Sequence, residues 1–241
     1  MRGALPAGAN GPSVRAMTDT FLLTAILVPS LVIAIVFHEV AHGWAALLLG
    51  DPTARERRRL TLNPIRHVDP VGTLLVPGGL ALAGLPVFGW AKPVPVTKQR
   101  LDNPRFGMMA VAAAGPGTNF VLAAVGAIAL GILASVNGGT PPELAKTGLY
   151  YFISINVFLG MFNLLPLPPF DGSHIVEGLL PRSAARTYER LRPFGFPLLF
   201  GLLLLVPYVF PQADLIERFV LPPVDWAVEH YLALAQAIAG G

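Results

Sequence analysis

The chain contains no cysteine. That excludes a disulfide framework, a cysteine zinc finger, an iron–sulfur cluster and a thiol nucleophile. It is also poor in charge: Asp, Glu, Lys and Arg make up 13% of its 241 residues, against roughly 25% in soluble domains. The formal net charge of +3 is small and dispersed between apolar runs, so the sequence carries no nucleic-acid footprint. What it has instead is apolar content, 54% of residues. Its 25 Gly and 24 Pro follow no collagen-like period, and a chain this apolar is not a linker. The composition is that of a multi-spanning membrane protein.

The gaps between charges set out an all-α multi-spanning membrane fold with about four transmembrane helices. Glu39 is the only formal charge between Asp19 and Asp51, and residues 20–50 would extend about 46 Å as a helix, more than a ~30 Å hydrocarbon core. The predicted spans are about 20–49, 107–136, 147–166 and 194–212. Residues 70–91 are uncharged too, but hold five Gly and three Pro. A straight helix is not expected there, and a membrane-associated hairpin or re-entrant segment is. Residues 1–18 read as a disordered N-terminal segment and 19–215 as the membrane-embedded domain. Residues 216–241 read as a C-terminal interfacial helix, with a further span as the alternative. Arg55 to Arg66, Lys92 to Arg105 and Arg182 to Arg192 form three basic loops. With four spans all three fall on one side, the cytoplasmic one by the positive-inside rule. Arg57-Arg58-Arg59 reads as a headgroup contact.

The first span contains the main chemical clue, His38-Glu39-Val40-Ala41-His42. Two histidines four apart share one helix face, so both imidazoles can reach one metal ion, with Glu39 beside them to activate water. Each of these polar groups is costly within a bilayer unless ligated, paired or hydrated. A catalytic zinc needs a third protein ligand. Among the acids near apolar segments, Asp69, Asp171 and Glu177, Asp171 stands out. It follows Pro166, Pro168 and Pro169, which end the third span, and precedes Gly172. A plain helix-capping role is the alternative for Asp171, and Glu177 or His174 are alternative third ligands. Asn156 and Asn163 lie seven apart on one helix face. Asn163 is a candidate catalytic donor to a developing oxyanion, and interhelical packing is the plain reading of both amides. His67 falls in the basic loop, at the mouth of such a site.

These two segments, HEVAH and Asn163-Leu-Leu-Pro-Leu-Pro-Pro-Phe-Asp-Gly172, resemble the site-2 protease family of intramembrane zinc metalloproteases, in particular its short prokaryotic members without PDZ or CBS domains. Gly50-Asp51-Pro52-Thr53-Ala54-Arg55 and Ala114-Gly115-Pro116-Gly117-Thr118-Asn119 belong to the same resemblance, which covers about residues 20–180. It implies one Zn2+ per chain held by His38, His42 and Asp171, with Glu39 as the base. It implies a hairpin over 70–96 that grips substrate as an added strand. It also implies a transmembrane protein substrate that is cleaved once beforehand, and a multi-pass protein of the plasma membrane whose active site opens to the cytoplasm. The rival readings are a metal transporter and a catalytically inactive metal-binding scaffold.

Overall fold

The computed structural model describes residues 14–84, 89–202, 206–209 and 216–240. Much of the 1–18 segment, and parts of the 194–212 span, lie outside the described residues.

The long first helix, α1 (Val14–Leu48), contains Pro29. Proline removes one backbone donor. Just beyond it, the Ser30 hydroxyl donates to the Ile26 carbonyl at 2.8 Å, so the polar side chain is satisfied within the helix. The helix stops at Gly50, which has φ +97°. Asp51 is fully buried there and accepts from the Thr53 N–H at 3.0 Å, the Thr53 hydroxyl and the Thr97 N–H at 2.5 Å. These bonds tie the end of α1 to a short helix, α2 (Thr53–Glu56), and to the segment that returns past it.

Residues 70–82 are helical, contrary to the expectation from their glycines and prolines. A π-helical turn, Pro70–Leu75, runs into α3 (Val76–Leu82). The reason is position. Pro70 and Pro77 lie in the first turn of each piece, where no N–H is required, and Asp69 caps the start by accepting from Val71 and Gly72. The chain comes back as an extended strap, residues 89–97. The Trp90 N–H reaches the Gly72 carbonyl and the Lys92 N–H the His67 carbonyl. Gly72 and Gly89 permit this approach, since a Cβ on Gly72 would meet the Trp90 indole at 2.4 Å and one on Gly89 the Gly72 carbonyl oxygen at 2.3 Å. The path is out and back as a hairpin is, but no strand is present among the described residues.

Asn103 and Pro104 start α4 (Pro104–Val136), which packs against α1 and against α5 (Glu143–Asn163). The inner face of α4 is small (Ala123, Ala127, Gly126), and Ile153 and Val157 of α5 fill the space this leaves. Its outer face, Val121, Val125, Ile128 and Ile132, is exposed. Large apolar groups outside and small ones inside invert the soluble pattern and match the packing of helices in lipid. The Thr20–Leu48 part of α1, with α4 and α5, are the three helices long and apolar enough to cross a membrane among the described residues. The third ends at Asn163 rather than 166.

The chain then turns through residues 164–170 into α6 (Asp171–Leu179), α7 (Arg182–Glu189), α8 (Gly195–Phe200) and α9 (Val206–Val209). The last helix, α10 (Leu221–Ala239), packs one face on the rest of the bundle. Val224, Ala227, Val228 and Ala235 are buried in the α4–α5 core. The Tyr231 hydroxyl donates to the Phe120 carbonyl at 3.0 Å, and Gly131 admits Ala235 and Ile238. Contacts that advance together along both helices make α10 run parallel to α4. Val224, Ala227, Val228 and Ala235 recur at helical spacing and give it the face to do so.

Candidate metal centre

Three side chains distant in sequence converge where α1, α4 and α6 meet. His38 and His42 are both buried, with ring planes at 90° and centroids 4.6 Å apart. The Asp171 Oδ2 lies 3.1 Å from His38 Nε2 and 3.2 Å from His42 Nε2, and the two Nε2 atoms are 3.0 Å apart. Room for both imidazoles comes from Gly115 of α4, where a Cβ would sit 2.5 Å from His42 and 2.6 Å from His38.

The neighbours fix the protonation of both rings. His42 Nδ1 lies 2.7 Å from the Val111 carbonyl oxygen. A carbonyl only accepts, so this Nδ1 carries the proton. His38 Nδ1 lies 2.6 Å from Oδ1 of Asn119. The Asn119 amide is oriented by its other end, where Nδ2 donates to the Ala34 carbonyl at 3.1 Å and to Asn156 Oδ1 at 3.0 Å. Its Oδ1 therefore accepts, and His38 Nδ1 is also the protonated nitrogen. Both Nε2 atoms then present lone pairs to each other and to a carboxylate oxygen. Asp171 Oδ2 is itself buried without a hydrogen-bond partner.

Three acceptors about 3 Å apart repel one another unless a cation lies between them. Ligands about 2.0 Å from a tetrahedral zinc stand roughly 3.3 Å from each other. The set found here, at 3.0–3.2 Å, fits such an ion, and the His/His/carboxylate chemistry suits zinc. His38, His42 and Asp171 are the metal-capable group among the described residues.

The other sequence candidates divide. Glu39 is half-buried, and its Oε2 accepts from the Val94 N–H of the strap at 2.7 Å. Asn156 belongs to the buried Asn119 network and bonds the Phe152 carbonyl with its own Nδ2. Asn163 donates to Leu159 in its own helix at 2.9 Å and makes no hydrogen bond to the histidine–aspartate group. His174 and Glu177 are engaged elsewhere. Arg192 donates to His174 Nδ1 at 2.9 Å, while Glu177 pairs with Lys98 at 2.7 Å and with Arg192. Burial would push the Glu177 carboxyl up, but the Lys98 hydrogen bond and the Arg192 and Lys98 charges hold it below the usual carboxylate range. Burial, reinforced by Arg192, pushes His174 down.

Two further residues are placed differently from the sequence reading. Arg59 is buried, and its Nη2 donates to the Lys92 carbonyl at 2.8 Å, so it braces the strap rather than meeting headgroups. His67 is 2% exposed, inside the loop rather than at its surface, and bonds the Thr61 carbonyl at 2.8 Å. In the strap, Pro93 and Pro95 lack N–H groups, and those of Lys92, Val94 and Thr97 are taken by His67, Glu39 and Asp51. Asn119 was passed over as a site residue. A lone amide four residues after Gly115, inside a run of the chain without charge, is the signal that marks it.

The chain is similar to several known proteins. The model of peptidase family M50 matches residues 131–206, the part that contains Asp171. A Bacillus subtilis protein named "Putative zinc metalloprotease YwhC" is 40% identical over 189 residues, covering 77% of this chain and 82% of the relative. "Putative zinc metalloprotease Rip2" of Mycolicibacterium smegmatis is 25% identical over 76% of this chain and 67% of its own length. Its Mycobacterium tuberculosis namesake (strain Erdman) is 26% identical over 86% and 76%. No solved structure matches the chain. With three helices long and apolar enough to cross a membrane, the chain is a membrane protein of peptidase family M50, the site-2 protease family.

Proposed function

We propose that the protein is an intramembrane zinc metalloprotease that hydrolyses peptide bonds in or near the transmembrane segments of other membrane proteins. The observation that carries this reading is the convergence of three lone-pair donors from α1 and α6, one of them a buried carboxylate oxygen without a hydrogen bond. The names of the relatives support it. His38, His42 and Asp171 would hold one zinc ion. When bound, zinc supplies Lewis acidity, polarising a peptide carbonyl and acidifying water.

The protein's own groups do the rest. Asn119 and the Val111 carbonyl keep both imidazoles in the tautomer that presents Nε2. Glu39, one residue from His38, is the general base. It accepts the proton of the attacking water and returns it to the leaving amine. The Val94 N–H holds one oxygen of that carboxylate in place and leaves the other for the proton. Asn163 is a candidate oxyanion donor, and to act it must exchange its bond to Leu159 for one to substrate. The substrate is a single-span protein already trimmed by another protease. It enters as unwound chain, because helical carbonyls are hydrogen-bonded and shielded. The protein resides in the plasma membrane with its basic loops and the opening of the site towards the cytoplasm.

The test begins with metal content. Detergent-purified wild type is expected to hold about one zinc per chain, and Asp171→Ala much less. Glu39→Gln should keep zinc and lose cleavage of single-span substrates. Wild-type protein that takes up no zinc when supplied with it would refute the proposal.

A further inference from the structure

The Asp171 ligand stands at the start of α6, which an irregular connection joins to α5. Residues 164–170 between α5 and α6 are irregular and contain Pro166, Pro168 and Pro169. At its N-terminal end α6 rests on that connection through Gly172, where a Cβ would meet the Leu164 carbonyl oxygen at 2.2 Å. The nine-residue helix, about 13 Å long, packs on α4, with Gly178 against Met109, and what sets its register there is the polar contact set at its far end.

The far end is gripped from three directions. Arg105 of α4 donates to the Gly178 carbonyl at 3.1 Å and to that of Leu180. Glu177, 8% exposed, bonds Lys98, which follows the strap, at 2.7 Å. Its other oxygen pairs with Arg192, which also bonds His174 of α6 at 2.9 Å. A partly buried ion pair adds little net stability, because desolvation offsets its attraction, so the effect of this bridge lies in the geometry it ties together. Lys98 also lies four residues beyond Val94, whose N–H holds Glu39. The same clamp therefore registers the segment holding the base against the helix bearing the third ligand.

We propose that Glu177, through its bridge from Lys98 to Arg192, is a positioning residue of the metal centre that sets α6 so that Asp171 reaches His38 and His42. This rests on the zinc reading above. The test measures zinc affinity of the full chain in detergent, by competition with a chromogenic chelator. Glu177→Gln should weaken zinc by about tenfold, in the range of outer partners of metal ligands. Lys98→Met should act in the same direction and carries the test should Glu177→Gln fail to fold. In an Asp171→Ala background Glu177→Gln should add no further loss, since the clamp acts through that ligand. Glu56→Gln removes an exposed pair of the same length, Glu56–Arg100 at 2.7 Å, and should leave affinity unchanged. The proposal is overturned by any of three results: both clamp variants binding zinc as wild type does, an equal loss without Asp171, or an equal loss from Glu56→Gln. A wild-type chain that binds no zinc defeats the proposed function and this inference together.

Discussion

Replacing Asn119 by leucine separates the tautomer argument from simple packing. The side chain keeps its branching and heavy-atom count, though it is bulkier, and loses three hydrogen bonds: one from His38 Nδ1, one to the Ala34 carbonyl and one to Asn156. Two consequences follow, of different size and kind. Hydrogen bonds between membrane helices are worth about 0.6 kcal/mol each, so the metal-free protein should lose about 2 kcal/mol of stability. Without an acceptor on Nδ1, His38 is free to hold its proton on Nε2, where it cannot ligate. Outer partners of this sort change metal affinity by 10–100-fold, which is about 1.4–2.7 kcal/mol. Chelator competition reads the second effect and thermal unfolding without metal the first. Asn119→Asp keeps the acceptor but loses both donors. It should recover zinc affinity without recovering stability. Zinc bound by Asn119→Leu as tightly as by wild type would refute the argument that Asn119 selects the ligating nitrogen.

Two other outcomes test the surroundings of the centre. Gly115→Ala puts a methyl within 2.6 Å of both imidazoles; on a helix neither ring can retreat, so zinc content should fall sharply while α-helical circular dichroism is kept. Burial raises the Asp51 carboxyl, but bonds from the Thr53 hydroxyl and the Thr97 and Thr53 N–H groups outweigh it and hold the group below its ordinary 3.8. A lowered value means the stabilisation is complete above pH 3.8 and fades as pH falls through the folded value. Asp51→Asn should therefore unfold more easily at pH 7 and show a flatter acid limb, and an unchanged acid limb would contradict this.

The parts of the fold carried by local pattern were legible. Charge-free runs located α1, α4 and α5, because excluding charge is what a lipid-facing helix requires. The pairing of His38 and His42 was legible because four residues is about one helical turn. Asp171 stood out through the prolines that precede it. What was not legible depends on contacts between distant segments. Gly and Pro in residues 70–82 argued against helix until their positions at first turns were known. Arg59 counts as a surface charge in any sequence tally, and only the strap's Lys92 carbonyl explains its burial. Asn119 meets His38 across 81 positions of chain, a distance that no periodicity spans. The small face of α10 reads equally well as interfacial until α4 is seen beside it.

That 81-residue separation also sets a schedule for the growing polypeptide. The histidine pair is made first, on α1, and waits. When α4 emerges it brings Asn119, Gly115 and the Val111 carbonyl together, so the two imidazoles are oriented before any carboxylate exists to complete the set. Asp171 arrives later still, after α5. A half-built chain therefore offers metal ions only two nitrogens, a weak site. On the proposed ligand set the site is complete only once the ribosome has delivered α6, which would make metal capture the last step of maturation rather than the first.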